Sequence, residues 1–188
     1  DYVISDIMRQ NVQLGVLGMG EGKYFNLFSW AEGEYKGRVA ARFTMDHALA
    51  HQIYAGTDMF LMPSQFEPCG LSQMIAMRYG TVPVVRETGG LRDTVLSYNE
   101  NNGDGNGFTF FNYNAHDMLH TIERAADYYN NHQDIWKLLQ KRGMSGDYSW
   151  THSAQEYLKL YEMLFKDRTP APKAEMKGEN PVVVDIEE

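Results

Sequence analysis

The sequence predicts an α/β fold: a Rossmann-like parallel sheet with helices on both faces. Two short apolar runs, Asp58-Met59-Phe60-Leu61-Met62-Pro63 and Val82-Pro83-Val84-Val85, read as strands buried from both sides rather than as alternating half-exposed ones. The segments between such runs carry apolar residues at spacings of three and four, the period of a helix with one buried face. The connections are short, so strands and helices alternate as they do in a parallel sheet built from crossover units. A chain of 188 residues has room for one ordinary core.

In order along the chain, Val3, Ile4, Ile7 and Met8 form the buried stripe of an opening helix. Val12 to Leu17 alternates as a strand and ends in Gly18-Met19-Gly20-Glu21-Gly22-Lys23. That glycine run is not a Walker loop, because Leu17 stands where the first glycine is needed and Tyr24 follows the lysine. It also lacks the full dinucleotide pattern, since Lys23 takes the last glycine position, so it reads as a strand-to-helix turn. Tyr24, Phe28, Ala31 and Tyr35 line the next helix, which stops near Gly37. Arg38 to Phe43 reads as a strand, and Asp46 to Ala55 as a helix with Leu49 and Ile53 inward. His47 and His51 stand at metal-ligand spacing on it, but no carboxylate or cysteine set accompanies them; they read as surface or cap residues, and no metal is expected.

After the strand 58–63, Leu71, Met74, Ile75 and Arg78 fall at helical spacing, with Gly80 closing the helix. Arg86 to Leu91 leaves the Val82–Val85 strand as a turn, in which Gly89-Gly90 supplies unusual backbone angles. Asn99 to Gly107 is polar and glycine-rich, lacks the closing glutamate of a calcium loop, and reads as a flexible surface loop before the strand 108–111. Ala115, Met118, Leu119, Ile122, Ala125, Ala126 and Tyr129 form a helical stripe, with Asn114 and Asp117 as its start signal. Ile135, Leu138, Leu139 and Arg142 mark a second helix. A third opens at Ser149-Trp150-Thr151, with Ala154, Tyr157, Leu158, Tyr161, Leu164 and Phe165 inward. The domain is expected to span residues 1–165. Residues 166–188 hold three prolines, many charges and little apolar periodicity, the composition of a disordered tail.

The stretch Gln65 to Ala76 carries the chemistry. Between strand and helix sits a tight loop holding Glu67, Pro68, Cys69 and Gly70. Gly70 allows a ligand to come close to the backbone, and the N–H groups of Gly70, Leu71 and Ser72 would point outward at the start of the next helix. That arrangement suits a phosphate, and Glu67 stands where it can touch what the phosphate carries. The plain structural alternative is that loops with Pro and Gly connect strands to helices in every α/β protein, and a lone glutamate in one is solvated.

The blocks Pro63-Ser64-Gln65-Phe66-Glu67-Pro68-Cys69-Gly70-Leu71, Met77-Arg78-Tyr79-Gly80-Thr81-Val82-Pro83 and Thr88-Gly89-Gly90-Leu91-Arg92-Asp93-Thr94-Val95 resemble, in order and spacing, the C-terminal domain of bacterial glycogen synthases and plant starch synthases. The resemblance runs roughly from Tyr2 to Phe165. It implies the C-terminal, donor-binding half of a GT-B glycosyltransferase that moves glucose from ADP-glucose to the 4-hydroxyl of an α-1,4-glucan with retention of configuration. It implies Glu67 as the catalytic acid group, and Pro68, Cys69, Gly70, Leu71, Ser72, Thr88, Gly89 and Gly90 beside the donor's sugar and phosphates. It places Met45 against the adenine ring, where relatives commonly have an aromatic residue. Gln65 stands where an arginine is usual, and Ile75 where the wider class has a second glutamate. The arginine and the lysine-glycine pair that grip the diphosphate in relatives fall upstream of residue 1, as does the acceptor domain. The chain therefore reads as a piece truncated at its N-terminus and inactive alone, and the last helix as one running back toward the other domain.

A formal net charge of −8 and a pI near 5.2 argue against nucleic acid or an anionic membrane as partner. Cys69 is the only cysteine, which excludes an internal disulfide and suits a reducing bacterial cytoplasm. No apolar run reaches the length of a membrane helix. No cofactor is expected; the partners are ADP-glucose and the glucan. Two other classes stand beside this reading. A non-catalytic nucleotide- or glucan-binding half-domain would keep the cradle and lose the acid, whereas Glu67 is present. A nucleotide-sugar epimerase of similar fold is at odds with the Phe66–Leu71 block.

Overall fold

The computed structural model describes residues 3–166. Their elements run α1 (Ile4–Arg9), β1 (Leu14–Leu17), α2 (Gly22–Glu34), β2 (Val39–Arg42), α3 (His47–Gly56), β3 (Met59–Met62), α4 (Ser72–Arg78), β4 (Val82–Arg86), α5 (Gly89–Thr94), β5 (Phe108–Phe110), α6 (Ala115–Asn131), α7 (Gln133–Ser145) and α8 (Trp150–Lys166). The chain forms two compact units, Asp1–Gly146 and Asp147–Glu188. The tail expected over 166–188 lies, beyond Lys166, outside the described residues.

Among the described residues every strand pairing is parallel. β1 lies beside β2 with Leu14 opposite Val39, and β3-β4-β5 form a second ladder with Met59 opposite Val82 and Val84 opposite Phe108. Among the described residues no ladder joins the two sheets, so the strands expected in one sheet fall into two. Both nevertheless contribute to one core: Leu14, Val39, Met59, Leu61, Val82 and Val84 share a cluster with Ile4, Ile7 and Met8 of α1 and Ile122 and Ala125 of α6. Trp136 and Leu139 of α7 complete it. Because side chains alternate across a strand, Val85 points to the other face, where it meets Met77 of α4, Leu91 of α5 and Val95. The expected two-sided cover of helices is thus present, and β4, the strand read as fully apolar, is buried from Val82 to Val85.

Local chemistry explains the boundaries. Asn114 caps α6 by accepting from Asp117 N at 2.8 Å, and Asp46 caps α3 by accepting from Leu49 N at 2.9 Å. Gly80 follows α4 with φ +86°, the left-handed stop its position predicted. Thr81, buried, donates its hydroxyl toward Tyr54 O and Thr57 O, which ties the start of β4 to the end of α3.

Several expectations are corrected. The turn expected at 86–91 is the entry to a helix, α5, that begins at Gly89 itself. A six-residue helix opening on two glycines runs against propensity, and tertiary packing decides it. The buried face of α4 is Gln73, Ala76 and Met77, whereas Leu71 is exposed. Tyr24 is exposed with Lys23 over its ring, and Ala31 carries the buried face of α2. The 99–107 loop is tied rather than loose. Asn99 exchanges backbone bonds with Gly103 and Asp104, and Arg142 donates to Gly103 O and Gly105 O at 2.6 and 2.9 Å. In the second unit, the apolar residues Tyr157, Leu158, Tyr161, Leu164 and Phe165 of α8, expected to be inward, are exposed.

Candidate functional site

Two loops at the carboxyl ends of neighbouring strands build the site. The first leaves β3 and carries Glu67, Pro68, Cys69, Gly70 and Leu71 into α4. The second leaves β4 and carries Thr88, Gly89 and Gly90 into α5. Since β3 and β4 are paired and parallel, both loops emerge on the same edge of the sheet, where ligands of open α/β sheets bind.

The loops are locked together through backbone. Gly90 N donates to Glu67 O and Pro68 O, each at 3.2 Å. A Cβ on Gly89 would stand 1.8 Å from Glu67 O, and one on Gly90 would stand 1.9 Å from Cys69 O. Only glycine fits at either place. Gly89-Gly90 therefore has a requirement beyond the unusual backbone angle expected from sequence, although Gly89 does have φ +45°.

Within the first loop Glu67 is half-buried, and Ser64 Oγ donates to its Oε2 at 3.3 Å, which leaves Oε1 available to another partner. Gly70 is buried at φ +71° and turns the chain into α4. Ser72 is the first helical residue, so the amides at this end lack intrahelical acceptors. α4 has seven residues, so local N–H donors rather than a long helix dipole would set the field here. Cys69 is exposed.

The structure thus brings together Glu67, Pro68, Cys69, Gly70, Leu71, Ser72, Thr88, Gly89 and Gly90. Among the described residues no hydrogen bond or ring contact joins Met45 to them. It lies between β2 and α3 at the carboxyl end of β2, 70% exposed. His51 on α3 bonds Tyr79 OH through Nδ1 at 3.1 Å, the surface role expected for it.

Two residues were missed by sequence reasoning. Arg86, at the end of β4, donates to Gln65 O at 2.8 Å and to Phe111 O at 3.2 Å, and its guanidinium lies 5.3 Å from the Tyr113 ring centre. It sets a positive charge beside Gln65, which itself offers none. Gln73, fully buried, donates to Gly70 O at 2.8 Å and reaches Thr94 Oγ1 at 3.1 Å. A polar residue on the Ala76–Met77 face of a helix was the available signal, and it was masked by the competing Leu71–Met74–Ile75 register.

Residues 3–141 match the family model described as glycosyl transferases group 1. Over 164 residues the chain is 52% identical to a glycogen synthase of Bacillus cereus strain Q1 and 55% identical to one of Geobacillus thermodenitrificans. Each alignment covers 87% of this chain and 34% of the relative, so the chain spans about a third of the length of the curated relatives it matches. Among solved structures, it is similar to the catalytic domain of starch synthase IV from Arabidopsis thaliana bound to ADP and acarbose. The TM-score is 0.76 at 36% identity, covering 86% of this chain and 34% of that one. With a matching model over most of its length and two parallel sheets flanked by helices, the chain belongs to the glycosyl transferases group 1 family, and its fold is that of half a GT-B glycosyltransferase.

Proposed function

We propose that this chain is the C-terminal, donor-binding half of a glucan synthase that transfers glucose from ADP-glucose to the 4-hydroxyl of an α-1,4-glucan with retention of configuration. The observation that carries the reading is the locked pair of loops, which holds the Glu67 carboxylate a few residues from the amides of Gly70, Leu71 and Ser72, left unpaired among the described residues. The sugar's C1–O bond to the diphosphate breaks, a C1–O bond to the acceptor oxygen forms, and ADP departs with the proton the acceptor hydroxyl gives up. Two charges grow in that step: positive on the ring and negative on the diphosphate. Fixed N–H donors of the α4 start would stabilise the second without reorganisation. Glu67 would accept from the sugar hydroxyls and offset the first. Pro68 and Cys69 shape the loop, Thr88, Gly89 and Gly90 flank the sugar and phosphates, and Met45 would lie against the adenine edge through its thioether. Residues 1–165 form the nucleotide-sugar domain and 166–188 its tail, and the protein works in the bacterial cytoplasm. The retained Glu67 weighs against a non-catalytic binding module.

Glu67→Gln in the full-length enzyme tests the assignment. ADP affinity, read by calorimetry, should stay nearly intact while turnover falls about a hundredfold or more, the range for losing one electrostatic stabiliser. Loss of ADP binding with turnover spared at saturating donor would overturn it. The isolated chain should transfer no glucose to glycogen.

A further inference from the structure

Resting on that reading, we propose that Gln73 is a positioning residue for the transfer reaction: its buried carboxamide clips the Glu67 loop to α5 and so sets where Glu67 and the α4 amides stand. Gln73 is 0% exposed, on the inward face of α4 with Ala76 and Met77. Its Nε2 donates to Gly70 O at 2.8 Å, lies 3.3 Å from Cys69 O, and donates to Thr94 Oγ1 at 3.1 Å. Thr94 Oγ1 in turn donates to Gly90 O at 2.6 Å. The result is one continuous chain of bonds from the carbonyl of Gly70, through the amide and the hydroxyl, to the carbonyl of Gly90. On the other side of Gly90, its N–H closes back on Glu67 O and Pro68 O. The two loops are held from both sides at the residue next to Gly89.

The amide is not there for packing alone. Both its hydrogens are committed to the span between loops, while Oε1 is buried with no partner among the described residues. That is a poor solution for filling space and a good one for fixing a distance. A Gly70 Cβ would stand 2.5 Å from Oε1, so the loop and the amide are fitted to each other without room to slide. Gln73 does not itself reach the surface where a donor would bind, so its effect passes through Glu67 and the neighbouring amides.

The test uses the full-length enzyme with Gln73→Met, Thr94→Val, their double variant, and Thr94→Ser, which keeps the hydroxyl. Steady-state transfer from ADP-glucose to glycogen gives kcat and KM, and hydrogen exchange gives the protection of the Gly90 amide. Misplacement of reacting groups by a fraction of an ångström to 1 Å lowers turnover by roughly ten- to a hundredfold. Each single variant should therefore lose about tenfold or more in kcat with donor KM nearly unchanged, and exchange at Gly90 should quicken. The double variant should be no worse than the more damaging single one, and Thr94→Ser should recover most of the loss seen in Thr94→Val. Multiplying losses in the double variant, or wild-type kcat in Gln73→Met, would overturn the proposal. The wild-type assay stands apart. No transfer by the wild type would overturn the function proposed above, whereas unchanged Gly90 exchange in both single variants would overturn the clip whatever the assay gives.

Discussion

Gly90→Ala isolates the close approach of the two loops. Gly90 is buried and lies outside the left-handed region, so an alanine there meets no backbone strain of its own. What it meets is backbone: the added Cβ would stand 1.9 Å from Cys69 O and 2.6 Å from both Cys69 C and Cα. The loop must recede by about 1 Å or more to reach ordinary contact, and no flexible side chain can absorb the shift. Overpacking of this kind costs about 1–3 kcal/mol, and weakening the Gly90 N–H bonds to Glu67 O and Pro68 O adds about 0.5–1.5 kcal/mol. Against this, alanine gains about 0.5–1 kcal/mol in a helix. The net loss should be on the order of 2 kcal/mol, the middle of these ranges, read as a lower midpoint in urea unfolding at unchanged slope. Gly33→Ala is the control: it sits in α2 with nothing within 4 Å of the added Cβ, and should raise stability by about 0.5–1 kcal/mol. If Gly90→Ala matched wild type or gained as Gly33→Ala does, the backbone-on-backbone contact between the loops would have to be abandoned.

Trp136→Ala should cost about 3–5 kcal/mol in the same assay, because the indole is fully buried between Phe108 and Tyr129. Trp136→Phe should cost clearly less, since it keeps a ring there and removes an Nε1–H that has no partner among the described residues; equal losses for the two variants would count against ring packing as the cause. Asp117 is held below the ordinary aspartate range, first by the hydrogen bond from Asn112 at 2.7 Å and then by Asn114. Its folded pKa is depressed, so whatever stability it lends is present above the ordinary aspartate value and is lost as pH falls through the lowered one. An NMR titration should show a low Asp117 midpoint that rises in Asn112→Ala, and an unmoved midpoint would refute the assignment.

Much of this was legible because the chemistry is local. β4 could be read from four apolar residues in a row, α6 from its stripe and the Asn114 cap, and the strand–loop–helix around Glu67 from the order of apolar run, proline and glycine. What escaped depends on distant partners. α5 opens on two glycines, which sequence alone reads as a turn, because the reason for them is the Glu67 loop more than twenty residues away. Nothing local singles out Gln73, because its partners are backbone carbonyls and a threonine of another element. The 99–107 loop looked loose because the arginine that holds it, Arg142, arrives from α7. The separation of β1-β2 from β3-β4-β5 carries no sequence signal, since strand pairing is not written in either strand alone.

That separation has a colloidal consequence. One edge of β3 pairs with β4, and among the described residues the other pairs with nothing. Met59-Phe60-Leu61-Met62 is uncharged and apolar throughout, the kind of edge on which foreign strands add. Asp58 and Pro63 stand at its two ends, one repelling and the other unable to donate, and so act as gatekeepers of a four-residue adhesive strip. The net charge of −8 adds long-range repulsion between copies, which salt would screen. Added salt should therefore speed self-association, and Asp58→Asn should speed it further.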